Sequence, residues 1–461
     1  MLMYQRTLMY QRTLMYQPLL YQHTTQEQSC EPLLDYLTRE FARSTGLPRR
    51  AARELMERED FALAAARMAE SPAPYTRCAD VLDLCRPVLN ALCPEPGEGW
   101  LRHCYEALAA GLFPHAGFAP PPKAQGQALR FLLLTLNWFF ARERELRPFD
   151  PLTDVLPITP EERAASLIPE QYDRFLAKLG KCGYLALLRI GREIMPFDPA
   201  SHTIGVHNVA VGAARQAALA GLPVDVALVS AATLSHDIGK FGCRGENAPR
   251  TPYLHYYYTW RWLEKGGMPD IAHIAANHST WDLEFENLPI ESLLLIYADF
   301  RVRGERGEGD GRERIKICTL EEGEAIILSK LADVDGEKRR RYRTVYLKLR
   351  DFERYLMANG VNPEPMGQPL PISPVDAALL SPAAAMDALR NLVFDNDVRL
   401  MRTITANDSF EELLEQARDE KNLQRIRTYL SLFEEYSTYM SRGHKLMTLR
   451  FLYELLMHHE G

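Results

Sequence analysis

The residues best suited to chemistry lie between His202 and Arg303. Six of the twelve histidines fall there, namely His202, His207, His236, His255, His273 and His278. Two aspartates accompany them: Asp237 directly after His236, and Asp299 at the end of the apolar run SLLLIYAD. Histidines and carboxylates set among apolar residues are costly to bury unless they hydrogen-bond one another or share a cation. A metal satisfies all of them together. Imidazole nitrogen and carboxylate oxygen without thiolate suit divalent Mn, Fe, Co, Ni or Zn, with Mg also admissible, and argue against a structural zinc site.

The elements that must position these side chains read as helices. His236-Asp237 closes the apolar stretch VDVALVSAATLSHD and is followed by Ile238-Gly239-Lys240. Adjacent helical side chains point about 100° apart, so both reach one metal only at a helix end, where the backbone turns away. His202 and His207 lie 34 and 29 residues before His236, at a helix predicted over Thr203–Ala220 and rich in small residues. The periodicity predicts further helices over Pro169–Glu193, Val224–His236, Tyr253–Lys265, Asp270–His278, Ile290–Arg303, Leu320–Val334 and Lys338–Asn359. Period-two strand patterns are almost absent, so the fold class is all-α. Gly304–Gly311 reads as a Gly/Arg/Glu-rich loop; no apolar helix or GK[ST] follows it, so it is not a phosphate-binding P-loop.

In the order His, His-Asp, distal Asp on consecutive helices, these residues resemble the HD superfamily of metal-dependent phosphohydrolases. The HDIGK string at 236–240 is similar to its HD-GYP branch of cyclic-dinucleotide phosphodiesterases, and His255, with His278 23 residues on, resembles that branch's further pair of ligands. The resemblance covers roughly Ile194–Arg303 and implies an HD-type helical bundle holding two divalent metal ions. It implies a first metal on His202 or His207, His236, Asp237 and Asp299. A second would sit on His255 and His278, with Asp237 bridging. It further implies hydrolysis of a nucleotide or cyclic-nucleotide phosphoester by metal-activated water, with Asp237 and Lys240 at the reacting centre. Lys240, Arg244, Arg250, Arg301 and Arg303 are the candidate phosphate contacts. The branch's HHExxDGxGYP string is represented only by Asn277-His278-Ser279-Thr280-Trp281-Asp282, with Asn in place of one histidine and no GYP. Two rival readings keep the same ligands: a di-iron oxygenase, and a signalling scaffold that senses a nucleotide without turning it over.

Several features read more simply. His273, five residues before His278, falls on another helical face and packs or meets solvent. Tyr256-Tyr257-Tyr258, Trp260 and Trp262 read as core packing ahead of nucleobase stacking. Lys338–Arg341 reads as a solvated basic face.

The 461 residues are 46% hydrophobic and 25% charged, which excludes wholesale disorder and predicts several domains. A formal charge of −7 disfavours nucleic acid as a partner. The longest apolar run, near Ala128–Phe140, contains Arg130 and Asn137 and is too short to span a bilayer. Eight scattered cysteines without a CxxC pair, and no signal-peptide pattern, point to the cytoplasm. Residues 1–27 form an N-terminal extension whose LMYQRT repeat fits no helix or solenoid, residues 28–150 a helical N-terminal module, and residues 160–360 the metal-binding domain, with its core at 194–303. Arg147–Pro160 reads as the linker between the last two, and Pro363–Pro374 as a second boundary. Residues 375–461 read as a helical-repeat-like region. Its last helix, Lys445–His458, places Leu446, Leu449, Leu452, Leu455 and Leu456 on one apolar face, which implies a protein partner, self-association, or a longer helical-repeat chain.

Overall fold

The computed structural model describes residues 32–70, 75–114, 122–278, 288–306, 313–330, 336–372, 407–420, 423–435, 437 and 440–458. The N-terminal repeat, Ser279–Asp282, the centre of the Gly304–Gly311 loop and residues 375–406 lie outside them. The fold is all-α with one small hairpin. Helices α1 (Leu33–Thr45), α2 (Arg49–Met56), α3 (Glu59–Glu70), α4 (Cys78–Leu92), α5 (Trp100–Leu112) and α6 (Lys123–Leu146) come first. They are followed by α7 (Pro160–Ala164), α8 (Pro169–Lys181), α9 (Tyr184–Ile194), α10 (Pro199–Leu219), α11 (Val226–Ser235), α12 (Thr251–Glu264), α13 (Pro269–Ala275) and α14 (Ile290–Arg301). Strands β1 (Val302–Arg306) and β2 (Glu313–Ile317) then precede α15 (Leu320–Lys330), α16 (Gly336–Ala358), α17 (Asn407–Asp419), α18 (Leu423–Glu435) and α19 (Arg442–His458).

The helices at the centre have little or no polar face. All ten residues of α11 are buried, and the Ala- and Gly-rich α10 packs against it and against α14. Small side chains let these backbones approach closely enough for three helices to share one core. Their starts are fixed by carboxylate caps that satisfy otherwise unpaired N–H groups. Asp198 accepts from Ser201 N at 2.9 Å ahead of α10, and Asp225 accepts from Leu228 N at 3.0 Å ahead of α11. Asp225 also accepts from Ser166 Oγ at 2.8 Å, which ties α11 to the chain before α8.

One hydrophobic cluster runs from Leu33 to Val361, so the N-terminal helices share their packing with the helices that carry the candidate site. Arg147–Pro160, read as a linker, is strapped to this body. The Arg147 side chain is buried against Glu143 (3.0 Å) and Asp154 (2.6 Å), and Asn208 of α10 accepts from Leu156 N at 2.8 Å while donating to the carbonyls of Pro151 and Asp154. A separate small core joins α17, α18 and α19 around Phe410, Leu414, Phe433 and Phe451.

Three local expectations are corrected. The helix expected over Pro169–Glu193 is two, α8 and α9, because Gly183 turns the chain with a φ of 63° that a side chain would resist. The end of the helix expected over Ile290–Arg303 becomes β1, which pairs antiparallel with β2 from Val302↔Ile317 to Arg306↔Glu313. The leucine face of α19 is two faces: Leu452 and Leu455 pack on the small core, whereas Leu446, Leu449 and Leu456 are exposed.

Candidate metal centre

The four elements α10, α11, α12 and α14, with the turns after α11 and α13, bring His202, His236, Asp237, His255, His278 and Asp299 together. Two groups of potential ligand atoms, each within 4.8 Å of one another, share Asp237: His202/His236/Asp237 and Asp237/His255/His278. The aspartate divides its oxygens between them. Oδ2 faces His202 Nε2 and His236 Nε2, both at 3.5 Å, while Oδ1 faces His255 Nε2 at 3.7 Å and His278 Nε2 at 3.9 Å. Asp299, two residues from the end of α14, stands beside the first group, its Oδ1 3.4 Å from His202 Nε2.

Backbone geometry fixes the tautomers. His236 Nδ1 lies 2.7 Å from Thr233 O, His255 Nδ1 2.8 Å from Thr251 O and His278 Nδ1 2.8 Å from Ala275 O. A carbonyl only accepts, so each Nδ1 carries the proton and each Nε2 of a neutral ring presents a bare lone pair. These lone pairs converge in a buried space: His236 Nε2 has no hydrogen-bond partner, and His255 Nε2 and His278 Nε2 stand 3.2 Å apart. Two lone pairs facing each other at that distance repel unless a cation or a proton lies between them. Burial disfavours the proton, lowering His236, taking His255 to about 4 and pushing His278 well below its ordinary value. This donor set fits divalent metal.

The charged groups complete the electrostatics. Burial opposes charge on His202, but Asp237 and Asp299 outweigh it and raise its pKa to about 9. Although burial also works against ionised Asp237, Lys240, His236 and His202 hold its carboxyl well below the usual range. Lys240 Nζ donates to Asp237 Oδ2 at 2.6 Å from a half-exposed side chain at the rim. Arg303, on β1, places Nη1 4.0 Å from Asp299 Oδ1 and lies over the Phe300 ring.

The other sequence candidates are placed elsewhere. His207 is the buried neighbour that does not join the cluster: its Nε2 meets Leu156 O at 3.0 Å and its Nδ1 meets Thr233 Oγ1 at 3.2 Å, so of the two histidines His202 is the one grouped with His236 and Asp237. Arg244 pairs with Glu106 of α5 and donates to Phe241 O. Arg250 donates to Asn247 Oδ1 at 3.1 Å, within the turn before α12. Arg301 is buried and donates to Cys318 O and Tyr297 Oη, bracing the hairpin. These three arginines have structural partners in place of a phosphate. Tyr257 and Trp262 are core residues, whereas Tyr256 packs its ring on those of His255 (3.8 Å) and His278 (4.7 Å).

Sequence reasoning ranked core packing ahead of a place at the site for Tyr256, and passed over Thr259 altogether. Thr259 Oγ1 donates to His236 O at 2.9 Å and accepts from Gly239 N at 3.0 Å. The glycine was the available signal, since a glycine within a ligand-bearing turn marks a close backbone approach.

His207 gives a pH prediction. Burial lowers its pKa to about 4, against the partial support of carbonyl contacts. The unfolded imidazole therefore binds a proton near pH 6.5 before the folded one does, and stability present above pH 6.5 is lost as pH falls toward 4, by roughly 3 kcal/mol. Urea unfolding of chelator-treated protein at pH 7 and pH 4.5 is expected to show a smaller acid loss in His207→Gln than in wild type. Equal losses would remove this account of His207.

Comparison with protein-family models, with curated proteins and with solved structures finds no match to this chain. Among the described residues, no helix is long and apolar enough to cross a membrane.

Proposed function

We propose that the protein is a metal-dependent phosphoester hydrolase of the HD type, with two divalent cations sharing Asp237 and a nucleotide or cyclic nucleotide as substrate. The observation that carries this reading is the convergence of three neutral, backbone-tethered imidazoles on one carboxylate whose two oxygens face two ligand groups. The residues that would hold the metals are His202, His236, Asp237 and Asp299 for one, and His255, His278 and Asp237 for the other. Bound there, divalent cations supply the acidification of water and the neutralisation of phosphoryl charge that hydrolysis needs near neutral pH.

The chain's own residues do the rest. The three Nδ1–H tethers hold the rings so that no rotamer search accompanies metal entry. Lys240, half-exposed beside Asp237, is placed to donate to a non-bridging phosphoryl oxygen, and Arg303 beside Asp299 offers a second cation at the same rim. Tyr256 and the buried histidines exclude bulk water from one side, which strengthens each electrostatic contact. A cytoplasmic location belongs to this reading and is supported by the seven described cysteines, all free thiols.

Hydrolysis of bis(p-nitrophenyl) phosphate followed by a nucleotide screen tests the proposal. Activity is expected with Mn(II), to vanish with chelator, and to return on adding metal back. Hydrolysis that survives metal removal would reject the reading.

A further inference from the structure

We infer that Thr259 is a positioning residue that sets the affinity of the second cation by locking the turn that carries Asp237 onto the helix that carries His255. This rests on the metal reading proposed above. Thr259 is fully buried on α12, and its single hydroxyl bonds the chain on both sides of Asp237: it donates to His236 O at 2.9 Å and accepts from Gly239 N at 3.0 Å. His255 lies four residues before Thr259, on the same face of α12. That face is in direct backbone contact with the turn, because a Cβ on Gly239 would stand 1.9 Å from His255 O and 2.5 Å from Thr259 N.

The consequence is specific to one half of the centre. Asp237 is the residue common to both ligand groups, and its partners for the second group, His255 and His278, come from α12 and the turn after α13. The distance from Asp237 Oδ1 to His255 Nε2, 3.7 Å, is therefore a distance between two separate elements, and Thr259 is the side chain that bolts them together. Its partners, His236 O and Gly239 N, flank Asp237 on the chain. For the first group, His236 and Asp237 share one backbone and move together, while His202 and Asp299 come from α10 and α14, which neither hydrogen bond of Thr259 reaches. Valine at 259 keeps the shape but leaves a carbonyl and an N–H buried without partners, which the turn relieves by moving away from α12.

The experiment is a titration of metal-free full-length protein with Mn(II), read as free Mn(II) by electron paramagnetic resonance. Wild type is expected to take up two ions. Thr259→Val is expected to lose about 10- to 100-fold in affinity for one of them and less for the other. Thr259→Ser restores the hydroxyl and is expected to bind both as wild type does. In a His278→Ala background, which disables the second group, adding Thr259→Val is expected to change the remaining ion's affinity by less than about 3-fold. A merely structural role would instead weaken both ions alike in every background, and that result overturns the inference. So does a Thr259→Val protein that binds two ions with wild-type affinity, or a folded Thr259→Ser that loses one. If Thr259→Val does not fold, Thr259→Ala takes its place in the titration, with the same selective loss expected and the same results overturning the inference. Wild type that takes up no Mn(II) overturns the metal reading and this inference with it, whereas two ions bound equally by wild type and Thr259→Val overturn only the role of Thr259.

Discussion

Asp237→Ala is expected to lower metal-dependent hydrolysis by about a thousand-fold or more, equivalent to roughly 4 kcal/mol at the transition state. It is also expected to abolish binding of the pair of cations. Among the described residues Asp237 alone belongs to both groups, and its two oxygens face opposite halves of the centre. Removing it leaves Lys240 without its 2.6 Å acceptor and His202 with Asp299 alone, so the alanine protein holds excess positive charge where the cations belong. Asp237→Asn separates charge from shape. Its single carbonyl oxygen can serve one group while the NH₂ faces the other, so one equivalent of metal is expected to remain, with hydrolysis still greatly reduced. Elemental analysis of protein purified without affinity-metal resin reads the stoichiometry directly. Two equivalents retained by Asp237→Ala would remove Asp237 from the centre, and with it the proposed mechanism.

How far the site was legible depended on whether function used local or long-range geometry. Helix α11 could be read almost to the residue because it is a run of apolar and small side chains followed by a polar pair, and the spacing of His255, His278 and Asp299 placed each near a helix end. The choice between His202 and His207 could not be made from spacing. Both lie on α10, and what excludes His207 is a carbonyl 51 residues away, at Leu156. The same limit applies to the arginines. Arg244 follows the ligand turn closely in sequence, yet its guanidinium is claimed by Glu106, 138 residues upstream, in a helix whose role no motif announces. The hairpin escaped notice because VRGER holds a single apolar residue and ERIKI alternates only over Ile315 and Ile317, too short a pattern to mark a strand. Thr259 escaped because a buried threonine in an aromatic-rich helix has no pattern of its own.

The N-terminal helices bear on the site through packing. Phe241, in the short turn after Asp237, sits edge-on to Tyr105 of α5 at 6.2 Å and to Tyr184 of α9 at 6.0 Å. Phe113, just after α5, meets Tyr258 of α12 at 6.0 Å. The turn carrying Asp237 is thus pressed between α12 on one side and aromatic residues of α5 and α9 on the other. Its position is set by the whole body around it, which is why a change in the turn itself should be poorly absorbed.

Gly239→Ala tests that rigidity. The added methyl would lie 1.9 Å from His255 O, 2.5 Å from Thr259 N and 2.7 Å from Thr259 Oγ1, and the first two are backbone atoms that no rotamer change can withdraw. Relief requires the turn and α12 to part by about 1 Å or more, while Phe241 on the far side of the turn leaves little room to retreat. Parting them breaks both Thr259 hydrogen bonds and draws Asp237 from His255. A cost of roughly 3–5 kcal/mol in unfolding free energy is expected, at the high end for a single methyl because overpacking and two lost hydrogen bonds coincide. Gly212→Ala is the matched control. It too is a glycine-to-alanine change at a backbone without positive φ, but it lies on α10 with nothing within 4 Å of its Cβ, and it is expected to gain about 0.5–1 kcal/mol from helix propensity. Denaturant unfolding of both metal-free variants, with metal uptake measured alongside, separates the two sites. A Gly239→Ala protein as stable as wild type and still binding two cations would show that the turn and α12 need not touch.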